Sequence, residues 1–170
     1  MIFEDEKSFE AACTAVILEI SALLTQKGAS AAAAESLTGG LISSEIVRVP
    51  GASNWFSEGC VTYTDGAKMR RLGVSPATLE KQTAVSRETA GEMAEGMRNT
   101  SHADIAVSAT GLAGPGCDEY GRPAGLVFIG GAAPHGSVTR ELDLSGDRLE
   151  IRQQAAYEAL RLMLGLAKAL

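Results

Sequence analysis

Three stretches of the 170-residue chain bring together residue types that could do chemistry. The first is ESLTGG at 35–40. Ser36 and Thr38 supply hydroxyls, and Gly39 and Gly40 allow a tight turn that brings backbone N–H groups close to a ligand. A helix starting there would add unsatisfied N–H groups and a dipole that favours an anion, either a phosphate or the oxyanion of an acyl-transfer intermediate. The same residues also suit a plain helix cap and turn. The stretch is not a Walker A loop, since the Lys is missing, and it is not GxGxxG.

A serine hydroxyl needs a partner to take its proton. His102 and His135 lie in loop-like contexts, so no Ser-His-Asp set presents itself. Lys68 is the better candidate. A lysine partly withdrawn from water has a lowered pKa and can act as a base, with Tyr63 as an orienting or relaying hydroxyl. The other reading of Lys68 is an exposed lysine on a helix. A third stretch, SATGLAGPG at 108–116, offers Thr110 and the flexible backbone at Gly111 and Gly114. It suits an oxyanion hole or a ribose or phosphate clasp, or else is a long surface loop. Arg148 and Arg152 stand one helical turn apart and could fork around a phosphate. Ion pairs with acids such as Asp147 are the alternative.

These residues need a scaffold. A chain of this length is one domain's worth, expected over residues 1–170, and can bury a core without metal or disulfides. Only 5% of the chain is aromatic while Gly and Ala abound, so the core should be small and aliphatic, with elements packed closely. A net charge of −6 argues against a nucleic-acid partner but leaves room for a small anionic ligand held by arginines. No apolar stretch approaches a membrane span, and the acidic, then amphipathic, N-terminal segment does not look like a secretory signal. A soluble cytoplasmic protein is expected. Cys13, Cys60 and Cys117 form no CxxC pair, and two histidines do not complete a zinc site. Cys13 and Cys60 read as core, and Cys117 as an incidental thiol in a glycine loop.

Apolar residues at three- and four-residue spacing predict a helix over 5–27, stopped by Gly28. SAAAA at 30–34 reads as an inner strand, with helix as the competing assignment, and a second helix covers 39–48. A strand at 58–64, a helix at 65–72 and a helix over 87–99 capped by Ser86 follow. DIAVSA at 104–109 is a strand, 110–123 a loop, and LVFIGGAA at 126–133 a strand. Alternation over 138–144 predicts a half-exposed strand pairing antiparallel with its predecessor across His135-Gly136. A final helix runs 147–168. The alternation predicts an α/β protein, a three-layer α/β/α sandwich with a mixed, partly parallel sheet, its ligand corner beyond the carboxyl ends of the strands. Segments 35–40, 62–68 and 108–116 should meet there.

ESLTGG, PGASNWFSEGCVTY, the Lys of DGAK, LGV, AVS, TGLAGP, RPAG and SGDR, in that order, resemble the signature of the CinA C-terminal-domain family over roughly residues 8–165. The match is nearest to stand-alone nicotinamide-nucleotide amidohydrolases. The resemblance implies a self-associating α/β/α domain, a homodimer or higher homo-oligomer. It also implies hydrolysis of nicotinamide mononucleotide to nicotinate mononucleotide and ammonia, without cofactor or metal. By residue, it makes Ser36 the nucleophile, Lys68 its base, Ser53 and Tyr63 auxiliary hydroxyls, Thr110 the loop threonine and Arg148 the phosphate contact. Oxyanion donors are expected near Gly39, Gly40 or the 110–114 loop.

The chain departs from the family pattern at several places. Leu37 replaces the Cys of ESCTGG, GPGCDEYGRPAG replaces a loop close to GPDGG with a following KPVG, and Thr83 stands where a Gly precedes AVS. The nucleotide-pyrophosphatase-like domain of larger members lies outside the resemblance, so that activity does not carry over. A nucleotide-binding or regulatory module that kept the fold without turnover is the alternative function. A phosphatase or pyrophosphatase lacks a carboxylate cluster for its metals.

Overall fold

The computed structural model describes residues 3–170. Five strands form one sheet: β1 (Ala31–Glu35), β2 (Phe56–Val61), β3 (Ile105–Gly111), β4 (Leu126–Ala133) and β5 (Gly136–Asp143), in the order β2-β1-β3-β4-β5. The first three are parallel, with Ala31 opposite Ile105 and Glu35 opposite Ala109. The β3-β4 and β4-β5 pairs are antiparallel. The sheet is therefore mixed and the class is α/β, as expected.

Helices α1 (Glu6–Lys27), α2 (Leu41–Arg48) and α6 (Arg148–Ala169) share one core with the face of the sheet that carries Ala31, Ala33, Ile105, Val107, Val127 and Ile129. Helices α3 (Asp65–Leu72), α4 (Pro76–Gln82) and α5 (Arg87–Ser101) cover the opposite face at Ala32, Ala34 and Ala106. Alanine is a poor strand former by itself. β1 is nonetheless a strand because both its faces are covered, and small side chains let helices come close from either side.

α1 is long and apolar enough, by length and composition alone, to cross a membrane, contrary to the sequence expectation. Its apolar stripe of Phe9, Cys13, Ile17, Ile20 and Leu24 is instead buried in the core shared with α2 and α6.

Most elements fall where the periodicity put them, with corrections at the ends. β1 runs one residue further, through Glu35, and α2 starts at Leu41 with Gly40 as its cap, so Thr38-Gly39-Gly40 is a turn outside the helix. β2 occupies 56–61, two residues earlier than expected, and a 3-10 turn at Ala52–Asn54 precedes it. The sequence reading missed α4, which opens on Pro76 at its first turn. β3 runs on through Gly111. β5 is a largely exposed edge rather than half-buried, with Val138 in solvent.

β1 passes through α2 to β2 on one side of the sheet, while β2 passes through α3–α5 to β3 on the other. Crossovers diverge to opposite faces on either side of β1, which opens a crevice at the carboxyl ends of β1 and β3.

Candidate active site

Ser36, Leu37, Tyr63, Lys68, Ala84, Val85, residues 110–118 and Arg148 border a cleft of roughly 300 Å³ at that crevice. All three polar segments picked out in the sequence reach it. Ser36 continues from β1 and keeps the sheet's register through its N–H, which donates to the Ala109 carbonyl (2.9 Å). Lys68 sits one turn into α3, whose start is fixed by the Thr64 side chain accepting from the Ala67 N–H.

Lys68 is 1% exposed and Ser36 8% exposed. Lys68 Nζ lies 3.1 Å from Ser36 Oγ, 2.9 Å from the Thr62 carbonyl oxygen and 3.5 Å from that of Tyr63. Among the described residues no carboxylate touches the amine. Burial therefore pulls the Lys68 pKa below its ordinary value, with Asp65 pulling weakly the other way. As a neutral amine, Lys68 can donate its two N–H groups to the carbonyls of Thr62 and Tyr63. Its lone pair is then left to accept from the serine hydroxyl, which is the arrangement a general base needs.

The expected anion corner at the start of α2 is already filled. The Glu35 side chain is fully buried and turns back under the helix. Its carboxylate accepts from the N–H groups of Gly40 (2.9 Å), Ile42 (3.1 Å) and Ser43 (2.9 Å), and from the Ser43 hydroxyl (2.7 Å). The helix dipole and N–H groups expected to hold a substrate anion thus hold an internal one. The Gly39 N–H donates to the Ser36 carbonyl (3.1 Å). Gly39 and Gly40 are therefore turn residues at φ 62° and 99°, not ligand donors. Thr38 is buried, and its hydroxyl has no partner among the described residues. A charge closing an apolar run just before a helix start was the available signal for Glu35, because such a carboxylate must find donors.

Arg152 is likewise committed, donating from Nε to the Leu37 carbonyl (3.1 Å) and from Nη2 to the Thr38 carbonyl (2.7 Å). It does not border the cleft. Arg148 does, and reaches both the Gly114 carbonyl and the Tyr63 hydroxyl (the latter at 3.2 Å). The Tyr63 ring is 59% exposed at the cleft mouth, and its hydroxyl serves Arg148 rather than the Ser36–Lys68 pair.

Thr110 is buried and donates to the Ala84 carbonyl (2.6 Å), tying the end of β3 to the 83–85 segment. Gly111 is held at φ 156° where an added Cβ would strike the Leu126 carbonyl 2.6 Å away, and Gly114 borders the cleft at φ 81°. Ser53 is displaced. It lies in the 3-10 turn before β2, at the amino end of the parallel strands, a strand length of roughly 17 Å from the cleft at ~3.3 Å per residue.

The loop over 114–124 has its own clasp, which sequence reasoning missed. Arg122 Nε donates to Asp118 (2.7 Å) and its Nη1 to the Val85 carbonyl (2.8 Å). Desolvation pushes the Asp118 pKa up, but the Arg122 side chain and the N–H groups of Arg122 and Tyr120 together lower it below its ordinary value, and Arg122 also stacks over the Tyr120 ring at 5.1 Å.

A buried serine–lysine pair at the carboxyl ends of the parallel strands gives this α/β domain a candidate catalytic cleft. The family is shown by comparison: residues 14–167 match the CinA C-terminal domain, and the chain belongs to that family. It is 49% identical over 138 residues to a protein of Caldicellulosiruptor saccharolyticus provisionally named competence-damage inducible, covering 81% of this chain and 34% of that one. A similarly named Clostridium acetobutylicum protein is 47% identical over 79% of this chain and 33% of its own length. The chain spans about a third of the length of these curated relatives. Among solved structures, competence/damage inducible protein CihA from Agrobacterium tumefaciens superposes with a TM-score of 0.85 at 36% identity, covering 98% of both chains. The competence or damage-inducible protein from Enterobacter asburiae gives 0.88 at 34% identity, covering 91% of this chain and 98% of that one.

Proposed function

We propose that this domain is an amidohydrolase that converts nicotinamide mononucleotide to nicotinate mononucleotide and ammonia through a Ser36 acyl-enzyme. The observation that carries the reading is the 3.1 Å Lys68 Nζ–Ser36 Oγ contact, buried at the edge of a nucleotide-sized cleft. Ser36 Oγ attacks the carboxamide carbon as Lys68 takes its proton. The oxyanion is met by backbone N–H groups of the turn after Ser36 and of the 110–114 loop. The Lys68 ammonium returns its proton to the departing nitrogen, and ammonia leaves. Water then attacks the ester, Lys68 again takes and returns a proton, and the nicotinate carboxylate and free Ser36 result. Arg148, the cation at the cleft mouth, is the phosphate contact, and Tyr63 holds its guanidinium in place. The departures at 116–124 fall in the loop that borders the cleft, where they act on substrate choice.

The test is ammonia release from nicotinamide mononucleotide without added metal. Wild type should turn over, with activity rising with pH as Lys68 loses its proton and levelling below its ordinary pKa of 10.5. Ser36→Ala should lose at least ~10³-fold in kcat with its fold intact. Undiminished turnover in that variant would sink the assignment. Binding without ammonia release in the wild type would indicate a nucleotide-binding module instead.

A further inference from the structure

The turn after Ser36 is gripped from two sides by charged side chains that do not touch each other. Glu35 gathers N–H groups on the helix side, and Arg152 gathers two consecutive carbonyls, those of Leu37 and Thr38, from α6. A planar guanidinium bridging two adjacent carbonyls fixes two adjacent peptide planes, which a flexible point charge such as lysine cannot do. In a trans peptide the N–H points opposite its C=O. Drawing the Leu37 carbonyl toward α6 therefore turns the Thr38 N–H away from it. The Ser36 carbonyl, held by the Gly39 N–H, orients the Leu37 N–H in the same manner.

Neither the Leu37 nor the Thr38 N–H has a protein acceptor among the described residues. Leu37 directly follows Ser36 and borders the cleft, while its side chain belongs to the core beneath α6. The residue after a nucleophile at a strand-to-helix turn is where an oxyanion donor is needed. Such a turn has little stiffness of its own, because two of its residues are glycines with positive φ.

We infer that Arg152 is a positioning residue. By holding the Thr38 carbonyl it fixes the peptide whose Gly39 N–H grips the Ser36 carbonyl, and so keeps the Leu37 N–H, at the cleft, in place as an oxyanion donor. It acts through the backbone and touches no substrate. This rests on the acyl-transfer reading, and it replaces the role of phosphate ligand that spacing alone suggested.

The experiment compares wild type, Arg152→Met and Arg152→Lys on nicotinamide mononucleotide and on nicotinamide riboside, which lacks the phosphate. Arg152→Met should lower kcat about 10²-fold with KM within about twofold, and by the same factor on both substrates. Arg152→Lys, which keeps the charge and serves if the Met variant does not fold, should remain at least ~10-fold impaired. Added guanidinium should restore part of the lost rate in Arg152→Ala, which a general loosening of the fold would not allow. A loss confined to the phosphorylated substrate, or one appearing in KM alone, would overturn the inference and return Arg152 to the phosphate. A second readout is the rate at which a fluorophosphonate ester labels Ser36, which needs the same oxyanion donors but no amide substrate. Slow labelling of Arg152→Met beside normal labelling of wild type supports the positioning role even if wild type released no ammonia, and that last result would overturn only the amidohydrolase reading. Equal labelling of the two would overturn the positioning role.

Discussion

The two walls of the cleft are built on different physical plans. The wall at 35–43 is buried and held by charge-assisted bonds to backbone. Glu35 takes three N–H groups and a hydroxyl, Arg152 takes two carbonyls, and Ser36 extends the sheet ladder. The wall at 112–124 is exposed over much of its length and is fastened at a few points by arginines, Arg122 to Asp118 and Val85 and Arg148 to Gly114. The first wall carries the serine. The second borders the space a substrate would fill. An oxyanion hole has to be stiff before substrate arrives, whereas a specificity loop can vary without endangering the chemistry.

The difference is tested most strongly at Glu35. Glu35→Gln keeps the volume but replaces one acceptor oxygen with an amide donor, which would face a ring of donors. Buried N–H groups then lose their partner, at a cost of roughly 2–3 kcal/mol. For a chain of this size that lowers the melting temperature by roughly 5–10 °C. Thermal unfolding followed by circular dichroism measures it, and a shift under ~1 °C would show that the stiff wall does not depend on its internal anion. Gly59 backs the same cluster, since a Cβ there would lie 2.1 Å from the Ser43 hydroxyl that Glu35 holds.

On the other wall the expected effects are smaller and of another kind. Arg122→Ala frees Asp118 and the Val85 carbonyl but leaves Ser36 and Lys68 untouched. KM for nicotinamide mononucleotide should rise about 3- to 10-fold because the loop must be ordered on binding, with kcat within about twofold. The melting temperature should stay within roughly 2 °C, because the pair is partly solvated. Steady-state kinetics decide this. A fall in kcat with KM unchanged would mean that the loop, too, belongs to the chemical machinery.

Legibility in sequence divides along the same line. Periodicity and turn residues located nearly every strand and helix, because burial and period are local properties of α1, β3, β4 and α6. The need of an alcohol for a base made Lys68 a candidate beside the reading of an exposed lysine, and it was the family resemblance that paired it with Ser36. Bonds that span the fold were not legible. Nothing local to Arg152 says that its guanidinium crosses to the carbonyls of residues more than a hundred positions earlier. Nothing local to Glu35 says whether it faces solvent or folds beneath α2. The turn itself was recognised as an anion site, but the anion is supplied by the chain. Ser53 misled because a motif preserves order along the chain, whereas position along a strand decides which end of the sheet a residue reaches.

The smallest expected effect lies in the segment that backs the second wall. The 83–85 segment is fastened to the end of β3 by Thr110 and to the loop by Arg122. Its first residue, Thr83, sits at φ 67° and ψ 172°, a region that only glycine enters without strain. It is kept there because its N–H donates to Leu79, its carbonyl accepts from the Ser86 and Thr89 hydroxyls, and its own hydroxyl accepts from the Val85 N–H at 3.2 Å. Thr83→Gly relieves strain of about 1–3 kcal/mol. It gives up the hydroxyl contact and adds freedom to the unfolded chain, which together offset much of that gain. A net stabilisation of roughly 0.5–1 kcal/mol is expected, an increase of about 2 °C in melting temperature, with kcat unchanged. Denaturant titration monitored by Trp55 fluorescence measures it. Destabilisation would mean that the hydroxyl bond to Val85, rather than the shape of the backbone, is what holds the 83–85 segment in place.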